Sequence, residues 1–431
     1  MRSLPFAILA LASGAAAAAP LELPAAIQRA LAHSPFLRAG AASVEAARAD
    51  ADAARAAHLP TLELGARVLR TDEPVGAFGL RLDEGRLGAA DFDPARLNAP
   101  AAVGGVGLSA TLNLPLYAGG RTRDGARAAR GIAQAEEQSQ ERRKQQIAFA
   151  VVRSYFGVRA AAQASLHAEE AVQSARETER FVRERVAQGL LLEADALRAT
   201  AFRAEAEARL AQARGTAGST RAALQLLLGE EVEAGALTTP IEEKAALPTA
   251  AADRPDLRAA ALRTGAAQAQ ASAASGALLP EVFLQASAQT LRSSFDQGTT
   301  WTLLMVGARW QLSLGAVHAS AAARARAAAA SSAAQAESDE AQREAQEARF
   351  LLDAAAARTA AAREAVAASE SARSLRLARY RQGLLPLTDL LDAELAFSNA
   401  QALLVQSLLE TRLARVSLQL ALGQPIEGVQ P

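Results

Sequence analysis

The residues able to do acid–base or metal chemistry are few and scattered. The four histidines, His33, His58, His167 and His318, stand far apart, and none belongs to a His-Glu-x-x-His pair or sits beside a nucleophile elbow. Gly119-Gly120-Arg121 reads as a strand-to-helix turn and lacks the Lys-Ser/Thr that a phosphate-cradling loop requires. The chain has no Cys, which excludes a thiolate metal ligand, a disulfide framework and a lipid anchor on Cys. The sequence therefore predicts no enzyme, no metal site and no cofactor. What remains is a set of aspartates beside glycine turns. Asp195 follows Gln188-Gly189-Leu190-Leu191, while Asp389 and Asp392 follow Gln382-Gly383-Leu384-Leu385. Asp389 and Asp392 are three residues apart and can share one helix face. Near a helix start, Asp195 and Asp389 can also act as caps or favour the helix by charge alone.

The elements that carry these residues occur twice. Ser34-Pro35-Phe36-Leu37-Arg38-Ala39 matches Arg254-Pro255-Asp256-Leu257-Arg258-Ala259, and Leu59-Pro60 matches Leu279-Pro280 at the same offset. From Gln188 to Gly229 the chain aligns without insertion on Gln382 to Gly423. Such spacing predicts an internal duplication, with repeats over 20–229 and 251–423, a linker over 230–250 and a tail over 424–431. Each repeat reads as a medium helix (Pro24–His58, Pro255–Ala277), two strands, a very long helix (Thr122–Val186, His318–Arg381), a Gly break and a returning helix (Glu193–Leu228, Leu387–Leu422). At 1.5 Å per residue the long helices reach about 100 Å, too long for an ordinary globular domain and suited to a coiled coil or helical tube.

Composition agrees. Lys+Arg and Asp+Glu both number 46, so the net charge is zero, which argues against a polybasic nucleic-acid binder. Aromatics are 4% of residues, and much of the 50% apolar fraction is Ala. Ala buries little area and favours close helix–helix packing over one large core. Residues 1–19, with Arg2, an apolar run from Leu4 to Leu11 and Ala15–Ala19, read as a secretory signal peptide.

The strands alternate. Val106, Leu108, Ala110, Leu112, Leu114 and Leu116 share one face, and Gly107, Ser109, Thr111 and Asn113 the other. In the second repeat Leu304, Val306, Ala308, Trp310, Leu312 and Leu314 oppose Met305, Gly307, Arg309, Gln311 and Ser313. About eleven residues at period two fits a membrane-spanning β-strand, although a soluble sheet packed on a helix alternates in the same way. Four such strands per chain do not close a barrel around a channel, so several chains must pool them. The residue pattern by itself leaves three or four copies open. The segment from Thr71 to Ala102 reads as a surface loop.

The order of these features resembles the TolC-like outer membrane efflux proteins. The resemblance rests on the Leu21–Leu31 opening, Ser34-Pro35, Leu59-Pro60, the strand exit Leu114-Pro115-Leu116-Tyr117-Ala118-Gly119-Gly120-Arg121, Tyr380-Arg381-Gln382-Gly383 through Asp389-Leu390-Leu391-Asp392-Ala393, and Leu420-Ala421-Leu422-Gly423. It implies an α+β membrane protein: a homotrimer with a 12-stranded barrel in outer-membrane lipid and a long α-helical tunnel in the periplasm. Such a protein is a passive exit duct for efflux or secretion. A periplasmic membrane-fusion adaptor couples it to an inner-membrane efflux pump or secretion ATPase.

By motif match, Asp389 and Asp392 ring the periplasmic aperture, and Tyr380 and Asp195 restrain it. The exposed turns Gly189, Leu190, Leu191 and Gly383, Leu384, Leu385 are the adaptor-docking tips. Asn113, Arg309 and Gln311 face the barrel lumen. Two departures stand out: Leu385 replaces the Arg of the best-known latch, and Ala194 replaces its Thr. The competing reading is an exported coiled-coil or adhesin-like scaffold without a channel.

Overall fold

The computed structural model describes residues 20–242, 253–294 and 297–426. The expected signal peptide lies outside these residues, as do the second part of the linker and the end of the tail. The elements run α1 (Leu23–His33), α2 (Pro35–Ala56), β1 (Thr61–Thr71), α3 (Pro74–Asp83), α4 (Pro94–Asn98), β2 (Val103–Ala118), α5 (Arg121–Ala187), α6 (Glu193–Leu228), α7 (Pro255–Gly276), β3 (Glu281–Ser294), β4 (Gln297–Arg309), α8 (Leu314–Arg381) and α9 (Leu387–Ala421). The long helices contain 67 and 68 residues and the returning helices 36 and 35. The chain forms two compact units, and each draws on both halves of the sequence.

The first unit comprises residues up to Ala41, Gln138–Leu257 and Glu337 onward. Its main core packs Leu23, Ile27, Val151, Val152, Tyr155, Phe156, Leu224 and Leu228. Burying each of the larger side chains contributes roughly 1.5–3 kcal/mol. The Tyr155 hydroxyl donates to the Leu21 carbonyl at 2.7 Å and accepts from the Thr239 amide at 3.0 Å. Those two bonds hold the segment after α6 beside the one before α1, where Leu21 and Leu237 form a parallel bridge.

The second unit comprises Ala42–Glu137 and Arg258–Ala336. It contains one antiparallel sheet of order β1-β2-β3-β4. Register places Leu64 opposite Ala110, Ala110 opposite Ala288 and Leu284 opposite Val306, so the apolar faces of all four strands merge into one. The other face carries Thr111, Asn113, Gln285 and Ser287. Helices in this unit meet through small residues, as where the Ser275 hydroxyl meets that of fully buried Ser320 at 2.9 Å.

The structure corrects three boundaries. The opening helix breaks at Ser34, because Pro35 has no N–H to donate and starts a new helix at its first position. The segment between β1 and β2 is not irregular: α3 begins at Pro74, buries Ala77 and Leu80, and joins the 3-10 turn Ala89–Phe92 through a Phe78–Phe92 edge contact at 5.8 Å. Strand β4 ends at Arg309, where its partner β3 begins with Glu281. Trp310, Gln311 and Leu312 therefore lie outside the ladder, Leu314 opens α8, and Gln311 is not a strand residue facing a lumen.

Candidate functional site

In the first unit the ends of α5, α6, α8 and α9 converge on one cluster. Val182, Ala196, Ala199, Tyr380, Leu387, Leu390 and Leu391 are buried there, with Phe181, Leu191, Phe202 and Leu377 against them. The two glycine turns close in the same way. Gly189 and Gly383 adopt φ of 72° and 77°, left-handed values that cost glycine least. Each turn returns the next amide five residues back, Leu190 to the Arg185 carbonyl at 2.9 Å and Leu384 to that of Arg379 at 3.0 Å. These are Schellman closures that satisfy the last carbonyls of α5 and α8. The following helices start without a side-chain cap, at Leu192 and Pro386. Asp195 and Asp389 occupy the first turns, so their contribution at the helix start is charge rather than capping.

Tyr380 is 6% exposed and packs edge-on against Phe181 at 5.8 Å. Its hydroxyl is buried and has no hydrogen-bond partner among the described residues. Burial pushes the phenol's pKa up, and the Asp195 carboxylate pushes it the same way, against the opposing pull of Arg185. Tyr380 and Asp195 are thus within electrostatic reach, while Arg185 stacks over Phe181 at 4.9 Å. Asp389 is half-buried, and its carbonyl accepts from Arg376 at 3.1 Å; Asp392 is exposed. Among the described residues no group of three or more potential ligands is placed to hold a metal ion.

At the turns, Leu190 and Leu384 are 60% and 68% exposed. Leu191 instead packs against the cluster and Leu385 is half-buried. Leu192, 72% exposed and not expected from the sequence, completes the first apolar tip. Sequence reading also missed the polar lacing between α5 and α6. Glu179 accepts from the Thr200 hydroxyl at 2.8 Å and from Arg203 at 2.6 Å, and Arg203 continues to Glu207 at 2.5 Å. The Thr200 hydroxyl, with Arg203 and Arg183, holds the Glu179 carboxyl below its ordinary range despite partial desolvation. The i,i+4 pairs Glu179–Arg183 and Arg203–Glu207 were visible as spacings, but the cross-helix link needed the register.

In the second unit Asn113 stands on the polar face, opposite Thr61 and Gln285. Arg309 pairs with Glu281 at 3.4 Å, and Arg121 reaches the same carboxylate at 2.9 Å. The opposite, apolar face is open, with Leu64, Leu304 and Val306 all exposed. No helix among the described residues is long and apolar enough to cross a membrane.

The family model described as "Outer membrane efflux protein" matches residues 26–230 and 246–424. The chain belongs to the outer membrane efflux protein family. Its role is accordingly that of an outer-membrane conduit for efflux or secretion, not an enzyme, and its place is the outer membrane and periplasm. Solved membrane proteins share the fold. VceC of Vibrio cholerae is 22% identical with a TM-score of 0.79, over 93% of this chain and 96% of that one. A Pseudomonas aeruginosa membrane protein gives 22% and 0.81, over 96% and 92%. The open state of the Neisseria gonorrhoeae MtrE channel gives 22% and 0.77, over 93% and 89%. A search of curated protein sequences returned no match.

Proposed function

We propose that three copies of this efflux protein pool their sheets into a 12-stranded barrel, continued by a periplasmic helical tunnel, and that the assembly is a passive duct. The observation that carries this is the four-stranded sheet. It has an unpartnered edge on β1 and another on β4, and one continuous apolar face. Unpaired strand edges are untenable in lipid, so β4 of one copy pairs with β1 of the next until the ring closes. Because the chain has no native Cys, cysteines placed on these edges cross-link only where they are introduced. Glu63→Cys combined in turn with Leu303→Cys or Met305→Cys should give covalent dimers and trimers and nothing larger. A ladder continuing past three would overturn the closed ring.

The tip cluster is then the periplasmic aperture. Asp389 and Asp392 from three copies would make a negative throat that favours cations and is blocked by multivalent ones. Tyr380 and Asp195 restrain the returning helices, in place of a latch through Leu385 or Ala194. The tips Gly189–Leu191 and Gly383–Leu385, joined by Leu192, offer apolar turns to a periplasmic adaptor that links the duct to an inner-membrane pump or secretion ATPase. Asn113 and Arg309 face the lumen. The two repeats descend from one duplicated unit. Asp389→Ala with Asp392→Ala should weaken divalent-cation block in planar-bilayer recordings; unchanged block would place the constriction elsewhere.

A further inference from the structure

Beneath the sheet, the last turn of α2 and the first turns of α5 flank an open cleft of 630 Å³. Arg55 lines it from α2 and His58 from the turn after it, and Arg123, Arg127 and Arg130 line it from α5, where i, i+4 and i+7 spacing sets the three arginines on one exposed stripe. Arg127 pairs with Asp124 at 3.2 Å. Arg55, Arg123 and Arg130 have no carboxylate partner among the described residues, and Asp52 is the only acid lining the cleft. Elsewhere, arginines such as Arg203 and Arg343 are paired with carboxylates on their own or a neighbouring helix. Uncompensated guanidinium groups gathered in one cleft repel each other and favour an anion between them.

The cleft has a definite depth. His58 stands three residues before β1, and Arg123 five residues after β2. Along α5, which starts at Arg121 just past the sheet, Arg123, Arg127 and Arg130 lie about 3, 9 and 14 Å from the helix start, within reach of a headgroup for long guanidinium side chains. The interfacial layer of a bilayer is about 5–8 Å thick on each side. Tyr117 and Trp310 sit exposed at the same end of the sheet, with Trp310 donating to the Leu278 carbonyl at 3.0 Å. Exposed Trp and Tyr of this kind mark the membrane–water boundary. Leu59 lines the cleft, and Leu62 begins the apolar face of β1; both are exposed.

We infer that this cleft is a binding site for the phosphate headgroup of an anionic phospholipid in the adjoining leaflet, the acyl chains running up from Leu59 onto the apolar face of the sheet. The inference rests on insertion of the sheet into the membrane as proposed above. A phosphate diester matches the donor forks of several arginines, and in the adjoining leaflet it is the anion every phospholipid headgroup supplies.

The full chain, extracted from membranes, is exchanged into bicelles containing phosphatidylcholine with either phosphatidylglycerol or extra phosphatidylcholine, and retained lipid is counted by native mass spectrometry. The comparison is with Arg55→Gln/Arg123→Gln/Arg130→Gln and with a charge-matched control, Arg209→Gln/Arg214→Gln/Arg358→Gln. Wild type and control should retain phosphatidylglycerol in preference to phosphatidylcholine. Each lost cleft arginine should weaken retention about fivefold. Heat-modifiable gel mobility, which reports barrel insertion, should be unchanged in both variants. Equal retention by wild type and the cleft variant would overturn the site. Displacement of the lipid by millimolar inorganic phosphate would show a free-anion site and overturn the lipid assignment. Loss of heat-modifiable mobility in the wild type would instead overturn membrane insertion.

Discussion

At the scale of single residues, the tip holds together through apolar packing around one unsatisfied hydroxyl. Leaving a buried hydroxyl without a partner costs about 1–3 kcal/mol, so Tyr380→Phe should raise the stability of the tip slightly at neutral pH. The phenol's pKa is raised in the folded chain. The neutral phenol is therefore favoured by folding, and stability falls as pH rises above the unfolded phenol value near 10. Melting curves of wild type and Tyr380→Phe should diverge in the alkaline range, the variant losing less; parallel curves would place Tyr380 outside the cluster. Tyr380 was legible as a tip residue from its distance to Gly383. Its role as a core residue was not, because that depends on Phe181, which is almost 200 positions away in the sequence.

At the scale of elements, glycine turns and long helical runs were plain in the sequence, because they are written in local backbone rules. Gly229 ends α6 at φ 72°, and a Cβ there would lie 2.3 Å from the His33 ring. Gly229→Ala should destabilise the chain by about 1–3 kcal/mol in denaturant melts, with loss from strain and clash together. A neutral substitution would contradict the packing of α1 on α6. A second junction is ionic. Arg254 is 7% exposed, pairs with Asp256 at 2.7 Å and Glu344 at 2.9 Å, and donates to the Ala421 carbonyl at the end of α9 at 3.1 Å. Arg254→Ala should cost about 1–3 kcal/mol, because Asp256 loses its bidentate partner and the Ala421 carbonyl its donor, while Arg142 still reaches Asp256 at 3.4 Å. The sequence showed Arg254-Pro255-Asp256 only as a repeat mark, since its partners lie 90 and 167 residues on. The overrun of the last strand has the opposite cause. Trp310, Leu312 and Leu314 keep the alternation, but a strand ends where its partner ends, and Glu281 fixes that limit. Helix α3 was hidden because its ten residues sit among Gly and Asp residues that read as turn.

At the scale of the whole molecule, the chain spends its apolar residues on contacts that one copy leaves open. Abundant Ala serves helices in close contact, and the large exposed side chains are concentrated on one sheet face, at the helix turns and at the base of the sheet. Family membership places the conduit in the outer membrane, and the proposed ring of three copies would pair the open edges of β1 and β4. The proposed duct stands or falls on the number of chains that share the barrel. It is tested most directly by the detergent-corrected light-scattering mass of the particle extracted from outer membranes. A closed barrel of twelve strands requires the mass of three chains. A particle with the mass of one chain would contradict it.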